Sequence, residues 1–403
     1  MNENSKDRMP RIVRRAGVTA AAAVTLLAGV ACTTAEPKAA AAPDRPELQA
    51  AAQQIVDAGF AGVQVRVRDE RGEWVGRAGV RELGKADKPP TDGKFWTGSS
   101  VKPFTATMVL QLVADGAIGL DAPVADYLPD LGLDRRITVR MMLQHRSGLF
   151  NYTGEYYADG TIAPGIPATG KEWFDNRFHS YRPEELVRLA LSKPARFEPG
   201  TDWNYSNTNY TLALLLIEKV TGRSYAEQMQ LRILGPLGMH DTVVPGPTLS
   251  QIPGPHAHGY FRYQDGDQWK TADVADQNLS LLPAAGDLIS TTADLATFFS
   301  ALNAGKLLPA PLLTEMRKAD PKLSYGLGVF VMDMGPNCGT VLNHNGSPPA
   351  GYGTMMYSSS DGSKTLTASV TMGDAAIDAA TAFPKSTQRL IDEVFCGGKS
   401  GGK

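Results

Sequence analysis

Ser99-Ser100-Val101-Lys102 leads into a run in which Phe104, Met108 and Leu112 recur every four residues, flanked by Val109 and Val113 and followed by Gly116. That period predicts a helix with one buried face, opening at the serine turn and stopping at the glycine. Ser99 and Lys102 then lie one helical turn apart on a single face, so an amine can reach a hydroxyl. Upstream the period changes. Val63, Val65 and Val67 alternate with Gln64, Arg66 and Arg68, which predicts a strand. A turn at Glu70-Arg71-Gly72 returns the chain through Trp74 and Val75 as an antiparallel hairpin, and residues 46 to 58 suit a helix before it.

Downstream, residues 120 to 280 read as helix and loop, with a helix from Asn209 to Val220 closed by Gly222. Strands return at Tyr325 to Met334, Met355 to Ser358 and Leu366 to Met372, the last two joined by an Asp361-Gly362 turn. A helix from about 374 to 395 ends the pattern. The expected fold class is therefore α+β: one antiparallel sheet built from both chain ends and flanked by helices, with a mainly helical region inserted. The sheet part covers about 47–119 and 285–397, and the helical region about 120–284. Residues 398–403 are expected to be a disordered tail.

The first 31 residues stand apart. Lys6, Arg8, Arg11, Arg14 and Arg15 precede an uncharged run from Ala16 to Ala31. A basic start followed by an apolar stretch too short to span a bilayer reads as a signal peptide, so the chain is expected to be secreted or held at the cell surface. Cys32, closing Leu-Ala-Gly-Val-Ala-Cys, is a candidate lipid anchor, although Gly29 stands where such sites carry a bulky aliphatic residue. Residues 32–46 are Ala- and Pro-rich, the composition of a linker. The whole chain of 403 residues carries a formal charge of −2, and removal of residues 1–31 leaves −5 by the same count. Nothing basic enough for nucleic acid remains. Export would leave Cys338 and Cys396 in an oxidising space, where a disulfide between them is expected and two buried thiols are the alternative. His256 and His258 sit two apart without a third ligand, so a solvent-exposed pair is expected and no metal site.

Three short motifs carry the chemistry. A serine hydroxyl is a weak nucleophile until a neighbouring base takes its proton, and a desolvated lysine one turn away can do so. Tyr205-Ser206-Asn207 supplies a phenol able to move a proton and an amide able to hold a substrate carbonyl or the lysine. His344-Asn345-Gly346-Ser347 brings an imidazole beside a glycine that lets backbone approach a ligand, and the Ser347 N–H can join that of Ser99 as an oxyanion hole. Each motif alone has an ordinary structural explanation: a chance S-x-x-K, a buried tyrosine, a satisfied core histidine. Their order along the chain, each where a helix start, a loop and a strand are independently expected, outweighs those explanations.

With these residues in place, the sequence resembles the family of serine DD-peptidases and class C β-lactamases, nearest to secreted D-alanyl-D-alanine carboxypeptidases, from about residue 50 to 396. Ile137-Thr138-Val139-Arg140, His145-Arg146-Ser147-Gly148-Leu149 leading to Tyr152-Thr153, and Asn204 to Tyr210 share the likeness. The resemblance implies Ser99 as the acylated serine, Lys102, Tyr205 and His344 as its catalytic partners, and Asn207 and Thr153 as substrate ligands. It also implies the Cys338–Cys396 disulfide. Three positions depart from the pattern. Phe330 stands where an arginine holds the substrate's terminal carboxylate, Asn345 where threonine is usual, and Leu281 where a tryptophan borders the cleft.

The expected activity is that of an exported serine hydrolase working through an acyl-enzyme, carboxypeptidase-like toward cell-wall peptides. An esterase, a D-amino-acid amidase or a β-lactamase of the same family is the alternative, which Phe330 favours. A binding protein without turnover is a third reading, opposed by the intact serine, lysine, tyrosine and histidine. A monomer acting on a small peptide, ester or β-lactam, with no cofactor, completes the expectation.

Overall fold

The computed structural model describes residues 44–157, 159–320 and 323–398. The expected leader, Cys32, nearly all of the linker and the tail after residue 398 lie outside the described residues. The folded part begins earlier than expected: Arg45 is buried, its guanidinium paired with Asp69 at 2.9 Å and with Glu47 at 2.6 Å.

Helix α1, Pro46–Asp57, leads into β1, Gly62–Asp69, and β2, Gly72–Gly79. A single turn of 3-10 helix over Gly98–Val101 then opens α2, Lys102–Ala114, with Pro103 in its first turn. The helical region holds α3, Asn207–Thr221, ended by Gly222 in the left-handed conformation. It also holds a hairpin of β3, Tyr260–Asp265, and β4, Gln268–Asp273. After α4, Thr292–Asn303, come β5, Phe330–Asp333, β6, Thr340–Asn343, β7, Tyr352–Ser359, β8, Thr365–Thr371, and α5, Ala379–Phe395.

The main sheet runs β2-β1-β8-β7-β6-β5 with antiparallel neighbours throughout, and β1 from one chain end pairs β8 from the other with Val63 opposite Val370. Strand alternation divides the core in two. Val63, Val65, Val67, Val341, Met355 and Ala368 face α1 and α5 in one cluster. Leu342, Met356 and Tyr352 face α2, α3 and α4 in a larger one.

Four expectations are corrected. Helix α2 is buried nearly all round, from Lys102 through Leu110, because it runs between the sheet and the helical region; Phe104 stacks on Phe298 of α4. The stretch 260–273 is a hairpin, since Tyr260, Arg262 and Gln264 alternate with Phe261 and Tyr263 up to the turn at Gly266, φ +61°. The expected strand from Tyr325 is cut to 330–333. Leu327 lies between two glycines, and at Gly328, φ +81°, the chain closes on α2, where a Cβ would sit 2.6 Å from that of Ala106. The last helix starts at Ala379, where Asp378 accepts from the Ala380 N–H at 3.1 Å as its cap.

Candidate active site

Ser99 sits half-buried in the 3-10 turn, and the lysine one turn on has no exposed surface. Lys102 Nζ meets three oxygens: Ser99 Oγ at 3.1 Å, Asn207 Oδ1 at 3.0 Å and the Ala285 carbonyl at 2.6 Å. Burial pushes its pKa well down, and the buried Asp287 carboxylate nearby only partly opposes the shift. Asp287 itself is driven up to about 7 by the same desolvation, so neither group acts as a strong ion. Once Lys102 loses its proton, Nζ still donates to Asn207 and Ala285, and its lone pair is left for the Ser99 hydroxyl. Desolvation is the dominant cause of that shift, and it leaves Lys102 able to act as a base toward Ser99.

The Tyr205 phenol lies near enough to Ser99 for that hydroxyl to temper its pKa, with Lys102 Nζ 4.7 Å from the ring centroid. Burial raises its pKa, so at neutral pH it is a phenol carrying its proton. The amine beside it is itself held toward neutrality, so no full cation there loosens the Tyr205 proton.

Backbone geometry sets out the candidate oxyanion donors. Gly346 exchanges both bonds with Thr354 of β7, N–H to carbonyl at 2.9 Å and the reverse at 2.7 Å. In an antiparallel pair the next N–H points the opposite way, so that of Ser347 faces the Ser99 turn. Two glycines permit this approach. A Cβ on Gly346 would lie 1.8 Å from the Thr97 carbonyl, and one on Gly98, φ +54°, would lie 2.6 Å from Ser347 N. Ser100 Oγ donates to the His344 carbonyl at 2.8 Å and ties the turn to this strand.

The profile of the Beta-lactamase family matches residues 48–371. The chain belongs to the Beta-lactamase family. Penicillin-binding protein 4* of Bacillus subtilis (strain 168) is 29% identical over 301 residues, which are 72% of this chain and 63% of that relative. Among solved structures, a D-stereospecific amidohydrolase from Streptomyces sp. aligns with TM-score 0.75 and 35% identity over 88% of this chain and 99% of its own. The D-amino acid amidase of Ochrobactrum anthropi SV3 aligns with TM-score 0.70 and 26% identity over 85% and 96%. The fold is that of the Beta-lactamase family, and the chain spans a little under two thirds of the length of that penicillin-binding protein.

Within that family frame the remaining expected residues divide. His344 is buried, and its Nδ1 lies 2.9 Å from the Asn345 carbonyl, which accepts the Nδ1 proton. Nε2 is thereby an acceptor for the Tyr325 hydroxyl at 3.3 Å. Burial, with Lys102 nearby, lowers its pKa to about 3, so the imidazole is neutral. Its ring centroid is 6.4 Å from that of Tyr205, and it reaches Ser99 through neighbours only. Phe330 packs edge-on against Tyr325 at 4.6 Å and against His344 at 5.5 Å. Asn345 donates through Nδ2 to the Tyr357 hydroxyl at 2.8 Å, which turns it from the serine. From the loop that carries Thr153, the residue joined to the site is Asn151, whose Oδ1 accepts the Asn207 N–H at 3.1 Å. Among the described residues Thr153 makes no hydrogen bond to Ser99, Lys102 or Tyr205. Leu281 is buried in the larger core. His256 and His258 are half-buried rather than exposed, the latter 2.5 Å from Asp273. Cys338 and Cys396 are joined.

One functional residue escaped the sequence reading. His145, at φ +59°, is fully buried beneath Tyr205, with ring centroids 4.3 Å apart. Its Nδ1 accepts from the Ser206 N–H at 3.2 Å and lies 3.2 Å from Asn209 Nδ2, which fixes the turn carrying Tyr205 and Asn207. The signal was the His-Arg-Ser-Gly-Leu stretch at 145–149, used only for the likeness.

Proposed function

We propose that the protein is an exported acyl-transferring serine hydrolase of D-amino-acyl amides, peptides or esters whose leaving side is uncharged. Ser99 Oγ bonds to the acyl carbon as its proton passes to Lys102 Nζ. The carbonyl oxygen takes the negative charge toward the N–H groups of Ser99 and Ser347. Tyr205 gives its proton to the departing nitrogen or oxygen as that bond breaks, and the proton on Lys102 balances the one given. Water then attacks the acyl carbon as its proton passes to the Tyr205 oxygen, and Ser99 Oγ regains the proton held on Lys102 Nζ as the acid leaves.

Phe330 is the observation that carries the substrate reading. A free carboxylate on the leaving side would meet a phenyl ring packed on Tyr325 and neutral His344. An unpaired anion in such surroundings is disfavoured, and losing a charged partner there typically costs about 2–5 kcal/mol. The similarity to a D-stereospecific amidohydrolase and a D-amino acid amidase supports the same reading. Export draws support from the leader pattern and from the disulfide.

A D-alanyl-D-alanine carboxypeptidase acting on cell-wall peptides is the rival, favoured by the similarity to a penicillin-binding protein. The test compares kcat/KM for a D-alanyl-D-alanine peptide and its C-terminal amide in wild type and Phe330→Arg. The proposal expects the amide to lead in wild type and the balance to move toward the free acid in the variant. A wild type that prefers the free acid by about tenfold or more, roughly 1.4 kcal/mol in transition-state terms, supports the rival.

A further inference from the structure

The turn at residues 283–287 presents three successive carbonyls to α2 and α3. That of Pro283 accepts from Thr211 Oγ1 of α3 at 3.3 Å, that of Ala284 from Thr105 Oγ1 of α2 at 3.0 Å, and that of Ala285 from Lys102 Nζ at 2.6 Å. Within this turn Ala284 adopts φ +56°, in the left-handed region that a Cβ disfavours. Such a conformation persists only where the surroundings over-determine it. From within the turn the hold comes from Asp287, whose Oδ1 accepts the Ala284 N–H at 3.0 Å.

Asp287 is buried, and among the described residues it forms no ion pair. A carboxyl in such a place is costly, and its presence asks for a task. Desolvation drives its pKa up to about 7, so near neutral pH its negative charge is only partial. With or without its proton it keeps an oxygen that can accept the Ala284 N–H. We propose that Asp287 is a positioning residue, which by bonding the Ala284 N–H locks the left-handed alanine and so aims the Ala285 carbonyl at Lys102 Nζ. That carbonyl and Asn207 Oδ1 are the two acceptors that occupy the Nζ protons and leave the lone pair for Ser99 Oγ. With the carbonyl misplaced, one of the two is lost and the lone pair is no longer fixed on the hydroxyl. The inference rests on the serine acyl-transfer reading above and adds to it the residue that orients the base.

The test measures single-turnover acylation by a p-nitrophenyl ester in wild type, Asp287→Asn, Asp287→Ala and Asp287→Ala combined with Ala284→Gly. Rate and substrate affinity are fitted separately, and sites are counted by intact mass of the acyl adduct. Asparagine keeps a neutral acceptor for the Ala284 N–H, so that variant should stay within about threefold of wild type. Alanine removes the acceptor and should slow acylation by about tenfold to a hundredfold, the scale of a reacting group displaced by about 1 Å, with affinity changed by about twofold at most. Glycine at 284 takes the left-handed conformation without the Cβ penalty, so the double variant should recover to within about threefold of wild type. A carboxyl that serves the fold alone would lower the melting temperature of Asp287→Ala and leave its acylation rate per site unchanged, which would overturn the proposal. An asparagine variant as slow as the alanine one would overturn it too, by making the charge the working part, and so would a double variant without recovery. If Asp287→Ala does not fold, the double variant decides: folded and fast supports the proposal, unfolded or slow overturns it. Absence of any acyl adduct in wild type would point instead to failure of the acyl-transfer reading itself.

Discussion

On the Lys102 side of Ser99 the site is polar and tightly bonded, with Nζ held by three oxygens from α2's own turn, α3 and the 284–287 turn. On the Tyr205 side it is a cluster of rings, in which Tyr325, Phe330 and His344 pack against one another around a neutral imidazole. The first flank has one task, to hold a desolvated amine against a hydroxyl, and any lost contact changes the proton chemistry. In the proposed function the second borders the departing group, so a change there is expected to alter which substrates fit while the nucleophile remains. On that reading mechanism and specificity are separable, and substitutions on the two flanks should differ in kind.

The largest effects belong to the polar flank. Lys102→Ala removes the base and should lower the acylation rate by about 10²–10⁴, read by stopped-flow with an aryl ester. The pH profile of wild-type kcat/KM should rise through the depressed lysine pKa to a plateau. That plateau should extend to strongly alkaline pH, since Tyr205 keeps its proton there. A fall in rate near pH 8 would show that another group is being titrated. Gly346→Ala acts between the flanks, where its Cβ would collide with the Thr97 carbonyl and displace the Ser347 N–H. Loss of one oxyanion donor typically lowers kcat by about 10²–10³, so the variant should lose turnover far more than substrate binding.

The disulfide lies away from both flanks, stapling the end of α5 to the turn between β5 and β6 across a separation of 58 residues. Cys338→Ser with Cys396→Ser should lower stability by about 4 kcal/mol in the chain-entropy account. Denaturant titration reads that loss, while kcat/KM of the folded fraction should hold. The last effect, small at mildly acid pH and growing as pH falls, sharpens the aromatic flank. The His344 pKa falls from 6.5 unfolded to about 3 folded, so below pH 6.5 the unfolded chain binds a proton that the folded one refuses. Stability from this group is then complete above pH 6.5 and is lost as pH falls toward 3, by up to about 1.4 kcal/mol per pH unit. Wild type minus His344→Gln isolates it from His145 and Asp287, and equal acid sensitivity in both proteins would refute a neutral His344.

Much of this was legible because local signals coincide with the tertiary requirement. The alternation of Val63, Val65 and Val67 marks the face toward α1 and α5, and the spacing of Ser99 and Lys102 is set by one turn of helix. What was not legible depends on contacts made across the chain. Ser100 bonds a carbonyl 244 residues away, and Asn151 holds Asn207 across 56 residues. The all-round burial of α2 follows from its place between two layers and cannot be read from its own period, which shows only that one face is apolar. Asn345 and Thr153 have the right chemistry and the right neighbourhood, yet Asn345 donates to Tyr357 and Thr153 makes no bond to the serine, lysine or tyrosine.

The central claim is that Ser99 carries the acyl group, and intact mass after incubation with a fluorescent penicillin and, separately, a p-nitrophenyl ester tests it most directly. Wild type should show one adduct per chain, mapped by proteolysis to the peptide containing Ser99. Ser99→Ala should keep its fold, since a half-buried serine contributes little packing, and should show none. An adduct of the same mass on Ser99→Ala would contradict the account.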